Sequence, residues 1–199
     1  MATKITKSII KIAKDNNGIV TSSMLTKKGI SRGNLKYLCD IDKLIHSSRG
    51  IYMLGEAVED DFFAIQNRFK KGIFSCETAL FLLNLTDRTP NCFSITFPQH
   101  YNLTSPKRAG IKCKVEKNNL YSMGITKVKT IYGNNVYCYS KEYTLCDILR
   151  RKNNIDIQII TTAFKTYINN KDKNIHILSK YSKQMKVENK VRNYLEVLL

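Results

Sequence analysis

Apolar side chains at Ile5, Ile9, Ile12 and Ala13 recur at helical spacing, with Lys4, Lys7, Lys11 and Lys14 on another face. The chain therefore opens on an amphipathic helix, which Asp15-Asn16-Asn17-Gly18 stops. Ile19-Val20 is a short β-branched pair. Thr21 or Ser22 caps a second short helix, with Met24 and Leu25 facing inward and Gly29 ending it. Ser31 caps a third helix running to about Asp42, with Leu35, Leu38 and Cys39 as its apolar stripe and Arg32, Gly33, Lys36, Tyr37 and Asp40 on its outer face. Leu44–Ser47 and Ile51–Leu54 read as strands joined by the tight turn Ser48-Arg49-Gly50. Three short helices and a hairpin are the layout of a winged helix-turn-helix, expected over residues 1–55.

The pattern then changes. Gly55-Glu56-Ala57-Val58-Glu59-Asp60 is an acidic interruption, which places a linker at 56–60 and a second domain at 61–199. Phe62, Ile65 and Phe69 predict a helix closed by Gly72, and Ser75 caps another over Cys76 to about Asn84. Phe93, Ile95 and Phe97 alternate in a strand that Pro98 ends. Ile111, Cys113 and Val115 alternate with Lys112, Lys114 and Glu116, predicting a strand with one buried and one charged face. Thr104 to Gly110 reads as a loop, and 125–132 with 136–140 as a hairpin around Gly133-Asn134-Asn135. Lys141 to Lys152 and the apolar series beginning at Ile157, Ile175 and Val187 predict four closing helices. The fold class expected is α+β: an N-terminal winged helix-turn-helix followed by helices flanking a small, mainly antiparallel sheet.

Charge sharpens this reading. The 199 residues carry 33 Lys+Arg against 16 Asp+Glu, a formal net charge of +17, and the C-terminal part holds most of the excess. A chain this basic suits a polyanion. On the third helix, Arg32, Asn34, Lys36 and Tyr37 are the side chains long and polar enough to read base edges, arginine or lysine on guanine and asparagine on adenine. Arg49 at the hairpin tip suits a phosphate or the minor groove, and the backbone amides near Thr21, Ser22 and Ser23 suit a phosphate. Lys27, Lys28 and Ser31, in and after the second helix, complete this DNA-binding set, and Lys107 and Arg108 are a further phosphate grip in the second domain.

Other chemistry finds little footing. Neither GxxxxGK[ST] nor GxGxxG occurs, nor HExxH or GxSxG, so no cofactor, metal or catalytic residue is expected. Six cysteines without a CxxC pair read as reduced thiols of a cytoplasmic protein rather than a disulfide framework. No apolar run is long enough for a membrane span, and the N-terminus lacks a signal-peptide core. Glu77, Glu116, Glu142 and Asp147 are the carboxylates available to an alternative, a metal-dependent nuclease targeted by the winged helix. For Glu142 a helix first-turn role, and for Asp147 a salt bridge to Arg150 or Arg151, are the simpler readings. A protein-interaction module is the other alternative.

The stretches Gly18-Ile19-Val20-Thr21, Leu25 through Gly29-Ile30-Ser31, Leu35 to Leu38, the hairpin Leu44 to Tyr52, and Tyr139 to Arg150 resemble the AbiEi family of bacterial abortive-infection antitoxins. That resemblance implies a winged helix that binds inverted repeats in its own promoter and represses transcription. It also implies a C-terminal domain that counters a neighbouring AbiEii-type nucleotidyltransferase toxin in a type IV toxin–antitoxin system of phage defence, direct contact with the toxin not being required.

Overall fold

The lysine-striped opening is helix α1 (Ala2–Lys14), which buries Ile9, Ile12 and Ala13 and leaves Lys4, Lys7, Lys11 and Lys14 in solvent. The computed structural model describes residues 2–150 and 153–198; the ending Arg151-Lys152 expected for one of the helices lies outside them. The fold is α+β, in two units: Met1–Arg68 with Lys129–Val136, and Phe69–Val128 with Tyr137–Leu199.

In the first unit α1 is followed by β1 (Ile19–Thr21), α2 (Ser22–Lys27), α3 (Gly33–Asp40), β2 (Ile45–Ser48), β3 (Ile51–Met53) and α4 (Asp61–Arg68). The β-branched pair at Ile19-Val20 becomes a third strand: the antiparallel sheet has the order β1-β3-β2, with Ile19 opposite Met53 and a register shift between His46 and Ser48. Ile9, Ile12, Val20, Leu25, Leu35, Leu38 and Leu44 form one core cluster, and Ile19, Ile51 and Met53 a smaller one packed by Ala57, Phe63 and Ala64. Complete burial of Leu35 and Leu38 stabilises α3 on this core by about 1.5–3 kcal/mol each. Ile5, expected inside, is 40% exposed.

The acidic segment is not a free linker. Asp60 is buried and accepts hydrogen bonds from Thr130 Oγ1 (2.6 Å), Asn134 Nδ2 (2.8 Å) and the backbone N–H of Phe63 (3.1 Å). The last bond caps α4, because the Asp60 carboxylate takes up an amide at the open end of the helix. As a result α4 and the 129–136 turn belong to the first unit, and the division falls after Arg68 rather than at the expected 56–60.

The second unit carries β4 (Ile73–Phe74), α5 (Cys76–Leu82), β5 (Ser94–Pro98), α6 (Thr104–Arg108), β6 (Lys112–Glu116), α7 (Asn118–Ser122), β7 (Ile125–Lys129), β8 (Asn135–Tyr139), α8 (Lys141–Ile148), α9 (Ile157–Asn169), α10 (Ile175–Gln184) and α11 (Glu188–Leu198), the tip of the β7–β8 hairpin being the 129–136 segment of the first unit. The strand order is β6-β5-β4-β8-β7. β4 runs antiparallel to β5, but β4–β8 and β5–β6 are parallel. The sheet is thus mixed rather than mainly antiparallel, because β6 returns beside β5 through the crossover containing α6. α6 also replaces the expected loop at 104–110: Pro106, lacking an N–H, sits buried in its opening turn, and Gly110 at φ +74° follows its end.

Helix α8 is the centre of this unit. Glu142 through Ile148 are all buried, and α8 packs against α5, α9 and α10. Ser140 caps it by accepting from the N–H of Tyr143, whose ring stacks on Tyr139 at 3.9 Å. Ile157, expected in the core, is exposed at the first position of α9. Among the described residues no helix is long and apolar enough to cross a membrane.

Candidate nucleic-acid interface

Helix α3 divides its residues by direction. Leu35 and Leu38 are buried, whereas Arg32, Lys36 and Tyr37 are exposed, Tyr37 by 50%. Asp40 is the acid on this exposed side, near the end of the helix. The helix begins later than expected. Arg32, not Ser31, occupies the cap position and offers no side-chain cap bond. Ser31 Oγ instead accepts a long 3.4 Å bond from Gly33 N–H, and its carbonyl accepts from Asn34 Nδ2 at 3.1 Å. Asn34 is thereby turned onto its own backbone and half-buried, unlike its exposed neighbours Arg32 and Lys36.

The β2–β3 turn lies against the start of α2. Ser22 N–H donates to the Gly50 carbonyl at 2.9 Å. Gly50 has φ +77°, the left-handed conformation that a glycine adopts without strain, and this turn leaves the adjacent Arg49 exposed. Ser22 and Ser23 are half-exposed beside it. Thr21 is different: it is buried, and its hydroxyl accepts from Met24 N–H at 3.1 Å, so its side chain is a helix cap and not a surface group. Thr26 links α2 to α3. Its hydroxyl donates to the Ser22 carbonyl and accepts from Arg32 Nε, each at 2.9 Å. Lys27 and Lys28 are exposed at the end of α2.

The structure therefore brings Ser22, Thr26, Arg32 and the Arg49–Gly50 turn into one hydrogen-bonded arrangement, with Lys36 and Tyr37 one turn further along α3. Among the described residues none of Lys27, Lys28, Arg32, Lys36 and Arg49 forms an ion pair, so their charge is available to a polyanion. Lys107 and Arg108 are exposed on α6 and belong to the second unit. A groove of about 560 Å³ along α1, lined by Lys7, Lys11, Lys14 and Lys43 together with Asp15, Ile10 and Leu54, adds a mostly basic face to the first unit. Thr26 carries no charge and no motif, and it was missed because its partner lies across a helix boundary. The Thr26–Arg32 spacing spans the break between α2 and α3 and follows neither helical period.

The alternative carboxylates are distributed otherwise. Glu116 and Asp147 come together on Arg150, at 2.8 Å and 3.5 Å from its Nη1. Lys114 Nζ pairs with the second oxygen of Asp147 and lies 3.4 Å from Cys76 Sγ. Asn153 donates to the Asp147 carbonyl and carboxylate. Burial opposes charge on Lys114, but Asp147 and the Cys76 thiol outweigh it and hold the lysine pKa above its ordinary value. Burial, reinforced by Asp147 and opposed by Lys114, pushes the Cys76 thiol up to about 12. Two carboxylates against two cations make this network close to neutral, with both oxygens of Asp147 and one of Glu116 held by Lys114 and Arg150. Glu142 accepts from Tyr167 Oη at 3.0 Å in the first turn of α8, and Glu77 lies in the first turn of α5. Among the described residues no three His, Cys, Asp or Glu are grouped to hold a metal ion.

The chain matches no protein-family model and no curated protein. Among solved structures it is similar to the crystal structure of the RV2827C protein from Mycobacterium tuberculosis, with 14% sequence identity over 98% of this chain and 81% of that one and a TM-score of 0.48.

Proposed function

We propose that the first unit is a winged helix-turn-helix that binds double-stranded DNA through α3 and the β2–β3 turn, and that the chain is a cytoplasmic antitoxin and autorepressor without catalytic chemistry of its own. The observation that carries the DNA-binding reading is the division of α3: two leucines fix it to the core while Arg32, Lys36 and Tyr37 stand exposed, and the exposed Arg49 caps a turn bonded to α2. Arg32 and Lys36 contact base edges, Tyr37 adds a polar and apolar surface, and Ser22, Ser23, Lys27, Lys28 and Arg49 hold the phosphates. The Thr21 side chain contributes by capping α2, and Asn34 gives one amide hydrogen to the Ser31 carbonyl, keeping its second N–H and its Oδ1 for adenine. Lys107 and Arg108 supply backbone contacts from the second unit.

The antitoxin role rests on the likeness of the sequence to the AbiEi family. It assigns promoter inverted repeats as the DNA target and a neighbouring nucleotidyltransferase as the toxin that is countered. The test is fluorescence anisotropy with the duplex upstream of the coding sequence, titrated over a range of salt. With about six phosphates contacted, log affinity falls against log salt with a slope of roughly −5. A slope near zero refutes the electrostatic reading. Co-expression with the product of the adjacent reading frame tests the second role, protection from growth arrest being the expected outcome.

A further inference from the structure

We propose that Thr26 is a positioning residue for Arg32, holding the guanidinium so that its two terminal nitrogens together meet a guanine edge; this rests on the DNA-binding reading above. The Thr26 hydroxyl donates to the Ser22 carbonyl and accepts from Arg32 Nε, each bond 2.9 Å long. Ser22 N–H donates in turn to the Gly50 carbonyl. A continuous series of hydrogen bonds thus runs from the β2–β3 turn, through α2, to the residue that opens α3.

The consequence follows from the donor geometry of arginine. Its guanidinium carries one N–H on Nε and the rest on the terminal nitrogens. With Nε engaged by Thr26, the side-on pairing that uses Nε is closed. The end-on pair of Nη1 and Nη2 remains and points two parallel donors outward. In the major groove two neighbouring acceptors, N7 and O6, are the mark of guanine, whereas adenine presents an acceptor beside a donor. Holding the side chain before DNA arrives also lessens the rotamer freedom lost on binding, which favours the base that matches the held geometry. Thr26 is exposed, so the bond to Arg32 is not a by-product of burial.

The experiment uses the 199-residue chain and a library of random-sequence duplexes, selected for binding and sequenced. Wild type, Arg32→Ala, Thr26→Val and Thr26→Ser are compared, with thermal melts confirming that each is folded. Wild type is expected to select guanine at one position, and Arg32→Ala to erase that choice. Thr26→Val, which keeps the β-branched shape and removes the hydroxyl, should lower the guanine preference there by on the order of tenfold. Its affinity for poly(dA·dT) and its salt slope should stay unchanged, and Thr26→Ser should restore the preference. Full guanine preference in Thr26→Val, equal loss on every duplex including poly(dA·dT), or wild-type binding without any guanine choice overturns the positioning role alone. Failure of wild type to bind any duplex overturns the DNA-binding reading and this inference with it.

Discussion

The cations on α3 and its neighbouring turn contrast with those between β6 and α8. Arg32, Lys36 and Arg49 are exposed and form no ion pair among the described residues, whereas Lys114 and Arg150 are largely buried and each meets a carboxylate. A water-facing cation contributes little to stability and is free to replace counterions around a polyanion. A buried cation is tolerated only because its partner is present, and the pair fixes the two elements that carry it. Lysine and arginine thus hold the second unit together at one place and leave the first unit chargeable at another, and composition alone makes no distinction between them.

The largest test of this contrast is Asp147→Ala. It leaves Lys114 buried beside Cys76 without its carboxylate and removes an acceptor of Asn153. The expected cost is about 3–5 kcal/mol in urea unfolding. A loss below about 1 kcal/mol is the size of an exposed pair and erases the distinction between the two regions.

High pH should weaken the same region. The Cys76 thiol rises from its usual value of 9.0 to about 12, and Cys146 likewise to about 12, each chiefly through burial. Lys114 is also raised. A group whose pKa is higher folded than unfolded stabilises fully below the unfolded value and loses that contribution as pH climbs to the folded one. The urea midpoint should therefore fall between about pH 9 and pH 12, and a midpoint flat across that window contradicts the burial of these groups.

Arg32→Ala should do the reverse of Asp147→Ala. Specific DNA affinity is expected to drop by about 1–3 kcal/mol with relaxed choice at one base position. Stability should stay within about 0.5 kcal/mol of wild type, as for a surface substitution. Equal loss on specific and random DNA would place Arg32 on a phosphate. The smallest expected effect is that of Arg49→Ala, a modest, sequence-independent loss of affinity with the salt slope reduced by about 1. An unchanged slope would remove the turn from the interface.

Much of the first unit was legible because its signals are local. Leu35 and Leu38 at helical spacing, Gly50 in a tight turn and Ile19-Val20 before a cap each act within a few residues, and all the elements they predict are present. The candidate interface was legible to the extent that exposure follows from the face opposite a leucine pair. The local pattern did not show that the Thr21 hydroxyl and the Asn34 side-chain amide bond nearby backbone.

In the second unit the expected faces of 111–116 hold at Ile111, which is buried, and Lys112, which is exposed, but reverse further along: Glu116 is buried and Lys114 nearly so, while Val115 is 38% exposed. Hydrophobicity would place them the other way round. The partners that reverse it, Asp147 and Arg150, lie more than thirty residues away in sequence. Asp60 is a similar case, an apparent linker acid that is buried because Thr130 and Asn134 fold back to it. The sequence by itself determined the α+β class, most of the helices and the basic outer face of α3, since each depends on neighbours a turn or two away. Only the tertiary structure decided which charges are buried, which strands run parallel and which residue holds Arg32, because those depend on groups that meet only after the chain has closed on itself.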